Sequence, residues 1–453
     1  MTVRIAPPAG VVALMERLWA HGHAAYVVGG SVRDTILGRP ADDWDLASDA
    51  LPQRLIEIFP GADYENRFGT VSVRELGVAY QVTTFRTDHD YADFRRPHRV
   101  EFGTDVGLDL ARRDFTVNAI AWGAGAPPDA AGRPTPGLVD PLGGVADIDA
   151  RTLRAVGEPA ARFREDALRM VRAVRLAAVL EFTIEPATFE AIRANAALAG
   201  HVSGERVAAE LQKLLSAARP SIGFRLMADS GLLELMLPEL AAQRGIAQNK
   251  IEGEDLFDHT LRTVDAAPAD RPVVRLTALL HDIGKPSTID DGPFRGHEVV
   301  GADIATSLLD RLHYPRTATE RVVHLVRNHM FTYEPDWGDA GVRRFIQRVG
   351  VSSIDDLFAL RAADNIGSGL DPEAHDLAGL RHRVAAELAD AVVLDRSRLA
   401  VHGNDLMAEL GLPAGPNLGR ILDALLELVI ADPKRNDRAT LLLLAESMLA
   451  DEG

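Results

Sequence analysis

Cysteine is absent from this 453-residue chain. That excludes disulfides, thiol nucleophiles and cysteine-held zinc, and it fits a reducing cytoplasm. Any metal must be held by His, Asp or Glu, a donor set that suits Mg, Mn, Fe or Co. Long apolar runs are also missing. None approaches the roughly 18 residues needed to span a bilayer, so no membrane role is expected. The opening residues are broken by Pro7, Pro8 and Gly10 and read as a loop entering an amphipathic helix, not as a signal peptide. Positive charge is in deficit, with 49 Lys+Arg against 66 Asp+Glu and a net charge of −17. Taken alone, that balance argues against a nucleic-acid binder. Distribution matters more than the sum. Residues 151–220 carry 11 Lys/Arg against 8 Asp/Glu, a locally basic stretch compatible with a polyanion site.

The pattern divides the chain into an α/β head and a long helical body, which is an α+β organisation overall. Through residue 157, short apolar strands such as "AAYVVGG" alternate with helical segments such as "LPQRLIEIF". Ser31 with Asp34 three residues on reads as a capping box opening a short helix. The Gly/Pro-rich run 123–137 reads as a hairpin tip. Beyond residue 158 helical periodicity dominates. Breaks near 244–255 and 366–376 suggest four parts: a head (1–157), a helical neck (158–245), a third domain (246–370) and a helical tail (371–453).

The densest chemistry lies in "VVGGSVRDTILGRPADDWDLAS", residues 27–48. A strand, a glycine turn and a helix start aim backbone N–H groups and the helix dipole at a phosphate. Gly29 and Gly30 permit close approach, and Arg33 adds a cation one turn in. Asp43 and Asp45 would share one face of a strand, with Trp44 on the other and Asp42 in solvent. Two adjacent carboxylates repel and need a compensating cation, and metal-bound carboxylate pairs serve phosphoryl and nucleotidyl transfer.

This stretch resembles the signature of the class II nucleotidyltransferases, which include the tRNA CCA-adding enzymes and the bacterial poly(A) polymerases of the DNA polymerase beta superfamily. The resemblance continues in order through "RRDFTVNAIA" (112–121), "DPLGGVADI" (140–148), "EDALRMVRAVR" (165–175) and "ERVAAELQK" (205–213). It implies a polymerase-beta-like head of mixed sheet and helices, with Asp43 and Asp45 catalytic and holding Mg2+.

In "EDALRMVRAVR" the plain reading is a Glu165–Arg169 salt bridge on a helix face. The chemistry allows more. Cytosine and adenine both present an exocyclic amine beside an unprotonated ring nitrogen. A carboxylate accepts from the amine while a guanidinium donates to the nitrogen; uracil and guanine present the reverse pattern. One Asp/Arg pair could thus admit C and A and reject U and G, through the penalty for unpaired polar groups. The resemblance implies that role for Asp166 and Arg169, with CTP and ATP as substrates. It also implies nucleotide contacts for Arg172, Arg175, Arg113 and Arg33.

One departure is Gln81, where family members usually carry glutamate; a third-ligand or general-base role there is in doubt. The segment 87–102 resembles the flexible loop of the CCA-adding enzymes and points to CCA or terminal-A addition. The basic signature of the poly(A) polymerases is absent near 65–73, which leaves poly(A) addition as the alternative.

The second half carries "DLFDHTLRTV", "LLHDIGKP", "GHEVVGA", "RNHM" and "RAAD" in that order. Adjacent His281 and Asp282 at a helix end, with His259 and Asp364, form a mixed imidazole–carboxylate set suited to Mg, Mn, Fe, Co or Ni. The pattern resembles the HD phosphohydrolase superfamily, which implies metal-dependent phosphoester hydrolysis, an alternative main activity. His297 and His329 are further candidates, for a second metal. The final segment, 401–429, resembles a tRNA-binding tail. Together these readings predict a cytoplasmic, Mg-dependent enzyme acting on the tRNA 3′ end.

Overall fold

The computed structural model describes residues 5–66, 68–91, 97–126, 134–248, 250–289, 294–389 and 394–450. The chain forms two compact units, residues 1–241 and 242–453.

The first unit is built on a seven-stranded mixed sheet. Its strands are β1 (Ala25–Val28), β2 (Leu46–Ser48), β3 (Asp63–Asn66), β4 (Thr70–Glu75), β5 (Val78–Thr84), β8 (Ala121–Ala124) and β9 (Gly137–Val139). They lie in the order β3-β4-β5-β2-β1-β8-β9. All neighbours pair antiparallel except β2 with β5. β1 is buried along its whole length, as a central strand covered on both faces must be, and "AYVV" supplies the apolar side chains for it. The helix Ala9–Ala20 packs through Val11, Leu14, Met15, Leu18 and Trp19, one stripe at helical spacing. The segment that resembles a flexible loop is a two-stranded hairpin of β6 (Arg86–Tyr91) and β7 (Pro97–Phe102), whose tip lies outside the described residues. The tip of the β8–β9 hairpin, residues 127–133, also lies outside them.

Two local expectations are corrected. The helix after β1, Gly30–Ile36, is capped by Gly29 with no side-chain cap, so Ser31 and Asp34 form no capping box. Asp34 instead takes two hydrogen bonds from Arg33, both at 2.9 Å. "EDALRMVRAVR" is likewise not one helix. A helix ends at Glu165, Asp166 is extended (φ −144°, ψ 105°), and a new helix runs Leu168–Leu180. The break frees the Asp166 carboxylate from the helical repeat and lets it accept the Leu168 N–H at 3.1 Å.

The second unit is helical. The helix Leu256–Ala266 opens with a true capping box between Asp255 and Asp258. Helices Pro272–Leu280, His297–Arg311, Arg316–Asn328 and Val351–Gly367 follow. The tail helices Gly403–Leu410, Pro416–Ala431 and Arg438–Ala450 share their own core of Leu406, Leu425, Val429 and Leu441. Among the described residues no helix is long and apolar enough to cross a membrane.

Candidate active sites

Pairing of β1 with β2 brings the opening motif together. Val27 faces Leu46, and the Val28 N–H donates to the Asp45 carbonyl at 3.0 Å. The glycine turn that leaves β1 and the aspartates that enter β2 therefore share one end of the sheet. Asp43 and Asp45 lie in the extended segment just ahead of β2 rather than on the strand proper. Trp44 is buried, with Nε1 donating to the Ala41 carbonyl at 2.7 Å, while Asp42 and Asp43 are exposed and Asp45 is half-buried. Two carboxylates, one exposed and one half-buried, suit Mg2+, which is commonly held by one or two carboxylates together with substrate phosphates and water. Leu46 lies opposite Val82 in the parallel β2–β5 pair, so Gln81 takes the place beside Asp45.

At Gly29 the backbone is left-handed (φ 79°), and a Cβ there would stand 2.9 Å from Arg113 Nη1. At Gly30 a Cβ would meet Arg33 Nη2 at 3.5 Å. The absence of a Cβ at the two glycines leaves room for two guanidinium groups beside them. The Gly29 amide is spent on the Ile120 carbonyl at 3.1 Å, so the cradle is made more by these arginines than by that N–H. Ser31, which the sequence reading took for a cap, has its Oγ buried at the helix start without a protein partner.

Several acids that hold these cations were not singled out from sequence. Asp109, buried, binds Arg112 at 2.7 Å and Arg113 at 3.3 Å. Asn118 accepts from Arg33 and donates to Asp114 at 3.1 Å. Asp114 binds Arg172 at 2.7 Å, and Glu210 binds Arg175 at 2.8 Å. Arg172 and Arg175 are therefore committed to protein carboxylates, and the basic stretch 151–220 is largely neutralised by internal pairs.

Burial pushes the Asp114 carboxyl up, but the Arg172 charge and hydrogen bonds from Asn118 and Arg172 outweigh it and hold it well below the usual range. A depressed carboxyl stabilises the fold above the ordinary aspartate pKa of about 4 and loses that contribution as pH falls toward the folded-state value. Asp114→Asn is expected to lower the melting temperature by several degrees at pH 7, with the gap to the parent narrowing below about pH 4. A gap that stays constant with pH in scanning fluorimetry would show that the charge is not its source.

Asp166 is gripped by Arg206 through two bonds, 3.1 Å to Oδ1 and 2.8 Å to Oδ2. With the Leu168 N–H on Oδ1, three of about four carboxylate acceptor positions are filled. One remains, on Oδ2, and the side chain is partly exposed. Arg169 uses Nη1 on Glu165 at 2.6 Å and on the Arg162 carbonyl at 3.2 Å, and Nη2 on the Arg112 carbonyl at 3.1 Å. The salt bridge of the plain reading is present, and Arg169 does not bond Asp166. Arg206 and Glu210 sit one turn apart on the helix Gly204–Leu215, so one helix holds both Asp166 and Arg175. An oppositely charged pair at that spacing in "ERVAAE" was the available signal.

In the second unit His259, His281, Asp282 and Asp364 converge. His259 Nε2 lies 3.3 Å from His281 Nε2, 3.3 Å from Asp282 Oδ2 and 3.2 Å from Asp364 Oδ1. His281 Nε2 lies 3.2 Å from Asp282 Oδ2 and 3.7 Å from Asp364 Oδ1. Metal bonds of about 2.1 Å place ligand atoms about 3.0 Å apart at right angles and about 3.4 Å apart at tetrahedral angles. The observed spacings are those of a coordination shell, so the donor set fits a divalent metal. Burial pushes the His281 imidazole down, while burial of His259 is outweighed by the hydrogen bonds that its ring donates to Asp282 and Asp364, which raise it. Gly284 permits the assembly: a Cβ there would meet the His297 carbonyl at 2.2 Å and the Gly301 amide at 2.6 Å. The turn carrying His281 and Asp282 can therefore press against the start of the next helix.

These features define a nucleotidyltransferase head carried with an HD-type metal domain. Residues 25–154 match the poly A polymerase head domain, 181–244 the probable RNA and SrmB-binding site of polymerase A, and 252–382 the HD domain. The chain belongs to the tRNA nucleotidyltransferase family of the CCA-adding enzymes. It is 36% identical over 437 residues to the CCA-adding enzyme of Geobacillus thermodenitrificans, covering 94% of this chain and 93% of that protein. It is also 35% identical over 423 residues to the A-adding tRNA nucleotidyltransferase of Deinococcus radiodurans, covering 89% and 91%. The fold matches the crystal structure of the Bacillus stearothermophilus CCA-adding enzyme in complex with CTP, with a TM-score of 0.73, 31% identity and 99% of each chain covered. Membership in this family with an HD domain implies divalent metal use in both parts.

Proposed function

We propose that this chain completes tRNA 3′ ends by adding C, C and A from CTP and ATP, without a nucleic-acid template, in the cytoplasm. The observation that carries the proposal is the Asp43–Asp45 pair set against the Gly29–Gly30 corner at one end of the sheet. A divalent ion, Mg2+ by its oxygen donors, would be held by Asp43 and Asp45 and would supply Lewis-acid activation of the 3′-hydroxyl and charge neutralisation on pyrophosphate. Arg33 and Arg113 bind the triphosphate. Asp166 accepts from the exocyclic amine through its remaining Oδ2 position, and Arg169 donates to the ring nitrogen. The terminal 3′-hydroxyl loses its proton to solvent and attacks the α-phosphorus, the bridging α–β P–O bond breaks and pyrophosphate leaves, so no covalent enzyme intermediate forms. Gln81 has an amide and cannot take the hydroxyl proton.

We assign the head to residues 1–157, the neck to 158–245, the HD-type domain to 246–370 and the tail to 371–453, with neck and tail contacting tRNA. Within the HD-type domain, His259, His281, Asp282 and Asp364 would hold one divalent metal and support phosphoester hydrolysis. The A-adding relative favours a second reading, addition of the terminal A alone. Purified protein given tRNAs that end before the first C, after one C and after two C's, with each labelled nucleotide and Mg2+, separates the two. Ladder products of one, two and three added residues are expected. Labelling only of tRNA ending in CC, and only by ATP, would establish the second reading. Long A tracts would establish poly(A) addition.

A further inference from the structure

A cavity of about 420 Å³ opens beside Asp282 and Asp364, and among the described residues Lys250, Lys285 and Arg361 are the lysines and arginines that line it. Two of these cations have their donors committed. Lys285 Nζ donates to Asp282 Oδ2 at 2.6 Å and to Gln248 Oε1 at 3.4 Å. Arg361 donates from Nη2 to the His329 and Phe331 carbonyls, at 2.7 and 2.8 Å, and from Nη1 to Asp364 Oδ2 at 3.4 Å. Lys250 differs. Its Nζ lies 3.4 Å from His259 Nε2 and 3.8 Å from Asp364 Oδ1. His259 Nε2 already serves Asp282 and Asp364, and a metal would take its lone pair, so it has nothing to offer an ammonium. Asp364 Oδ1 lies beyond hydrogen-bond reach. Lys250 thus brings three N–H donors to the cavity without a good acceptor among the described residues, and a third of its side chain is open to solvent.

The fold holds Lys250 in this place. The Gly245 N–H donates to Asp255 Oδ2 at 2.6 Å, and the Leu256 N–H donates to the Ile246 carbonyl at 2.8 Å. These bonds close the segment that carries Lys250 into a loop at the start of the helix Leu256–Ala266. Ile251, the next residue, packs over Gly369, where a Cβ would stand 3.2 Å from Ile251 Cδ1. A loop fastened at both ends and at residue 251 keeps the long lysine stem aimed at the cluster.

We propose that Lys250 clamps the phosphoryl group of the phosphoester bound by the HD-type domain, holding one unesterified oxygen while the metal holds another. This rests on the HD reading of His259, His281, Asp282 and Asp364. The charge of Asp282 is matched by Lys285 and that of Asp364 by Arg361. The charges of the metal and of Lys250 are therefore left for the ligand, and an oxyanion is their complement. Hydrogen bonds from an ammonium to a phosphate oxygen belong to the strong, charge-assisted class, and a lysine supplies them as a mobile point charge.

The test uses the full chain carrying Asp43→Ala and Asp45→Ala, so that the head contributes no metal. The protein is chelated, reloaded with Mn2+ and freed of excess, and inorganic phosphate is then titrated in. Bound Mn2+ should speed 31P relaxation of the phosphate, which reports both affinity and closeness to the metal. Lys250→Met should keep its Mn2+ by elemental analysis and bind phosphate roughly 10- to 100-fold more weakly, the worth of a hydrogen bond to a charged group. Lys250→Arg should recover most of the loss. A readout without substitution is reductive methylation of the parent, followed by peptide mass spectrometry: phosphate with Mn2+ should slow labelling at Lys250, and unchanged labelling overturns the clamp. Parental phosphate affinity in Lys250→Met overturns it and leaves the HD reading standing, as does Mn2+ in the parent that relaxes no phosphate. Loss of Mn2+ from Lys250→Met overturns it too, because the lysine would then serve the metal cluster. No Mn2+ in the parent overturns both the clamp and the HD reading.

Discussion

Nucleotide transfer should fall by roughly a thousandfold or more when Asp43 becomes alanine, because a metal ion supplies several kcal/mol of charge stabilisation and each 1.4 kcal/mol is tenfold in rate. Asp43 is exposed and Trp44, its buried neighbour, is untouched, so the melting temperature should hold within about one degree. Asp45→Ala should give a similar loss. The Val28 hydrogen bond uses the Asp45 main-chain carbonyl, which the substitution keeps. Asp42→Ala is the matched control. It removes an equally exposed carboxylate next door and should change the single-turnover rate by no more than about twofold. Equal losses at Asp42 and Asp43 would mean that local charge, not a metal position, is being read. An undiminished rate in Asp43→Ala would falsify the assignment of catalysis to the head. In that event His281→Ala should abolish the main activity; otherwise it leaves transfer intact.

The parts legible from sequence are those whose chemistry is local. Gly29, Gly30, Asp43 and Asp45 lie within one strand–helix–strand unit. His281 and Asp282 announce themselves by adjacency at a helix end. What stayed hidden is long-range. Arg33 reaches Asn118, 85 residues on, and Arg172 reaches back 58 residues to Asp114. Arg206 reaches back 40 residues to Asp166. No spacing rule pairs such residues; the fold does. The same limit explains why Arg172 and Arg175 of "EDALRMVRAVR" read as nucleotide contacts without their protein partners. Their i,i+3 spacing was correct for the helix Leu168–Leu180, but their partners come from other elements. The helix break at Asp166 was hidden for a different reason. Leu168, Val171 and Val174 keep a clean helical period on one side of it, and the break replaces no apolar residue.

That break bears on the prediction with the sharpest chemical signature, the change in base choice when Asp166 becomes asparagine. In the parent, Oδ2 has one acceptor position left after Arg206 and the Leu168 N–H are served. An exocyclic amine of C or A can use it, whereas the carbonyl of U or G would face a carboxylate with no proton between them. Asparagine offers an NH2 to that carbonyl and removes half of the mismatch. Under the proposed base reading the other half persists, because Arg169 would still meet a ring N–H with a donor. Leaving a polar group unpaired costs about 1–3 kcal/mol, so discrimination of CTP over UTP should fall by roughly 10- to 100-fold while CTP use also weakens. Arg206→Ala should lower turnover with both correct nucleotides and blur base choice less. It loosens the carboxylate without changing what that group accepts, which makes Arg206 a positioning residue. Competition of labelled CTP and UTP on tRNA lacking its last three residues reads both variants. If Asp166→Asn keeps the parental CTP:UTP ratio while losing rate, base choice lies elsewhere and Asp166 merely anchors the helix that starts at Leu168.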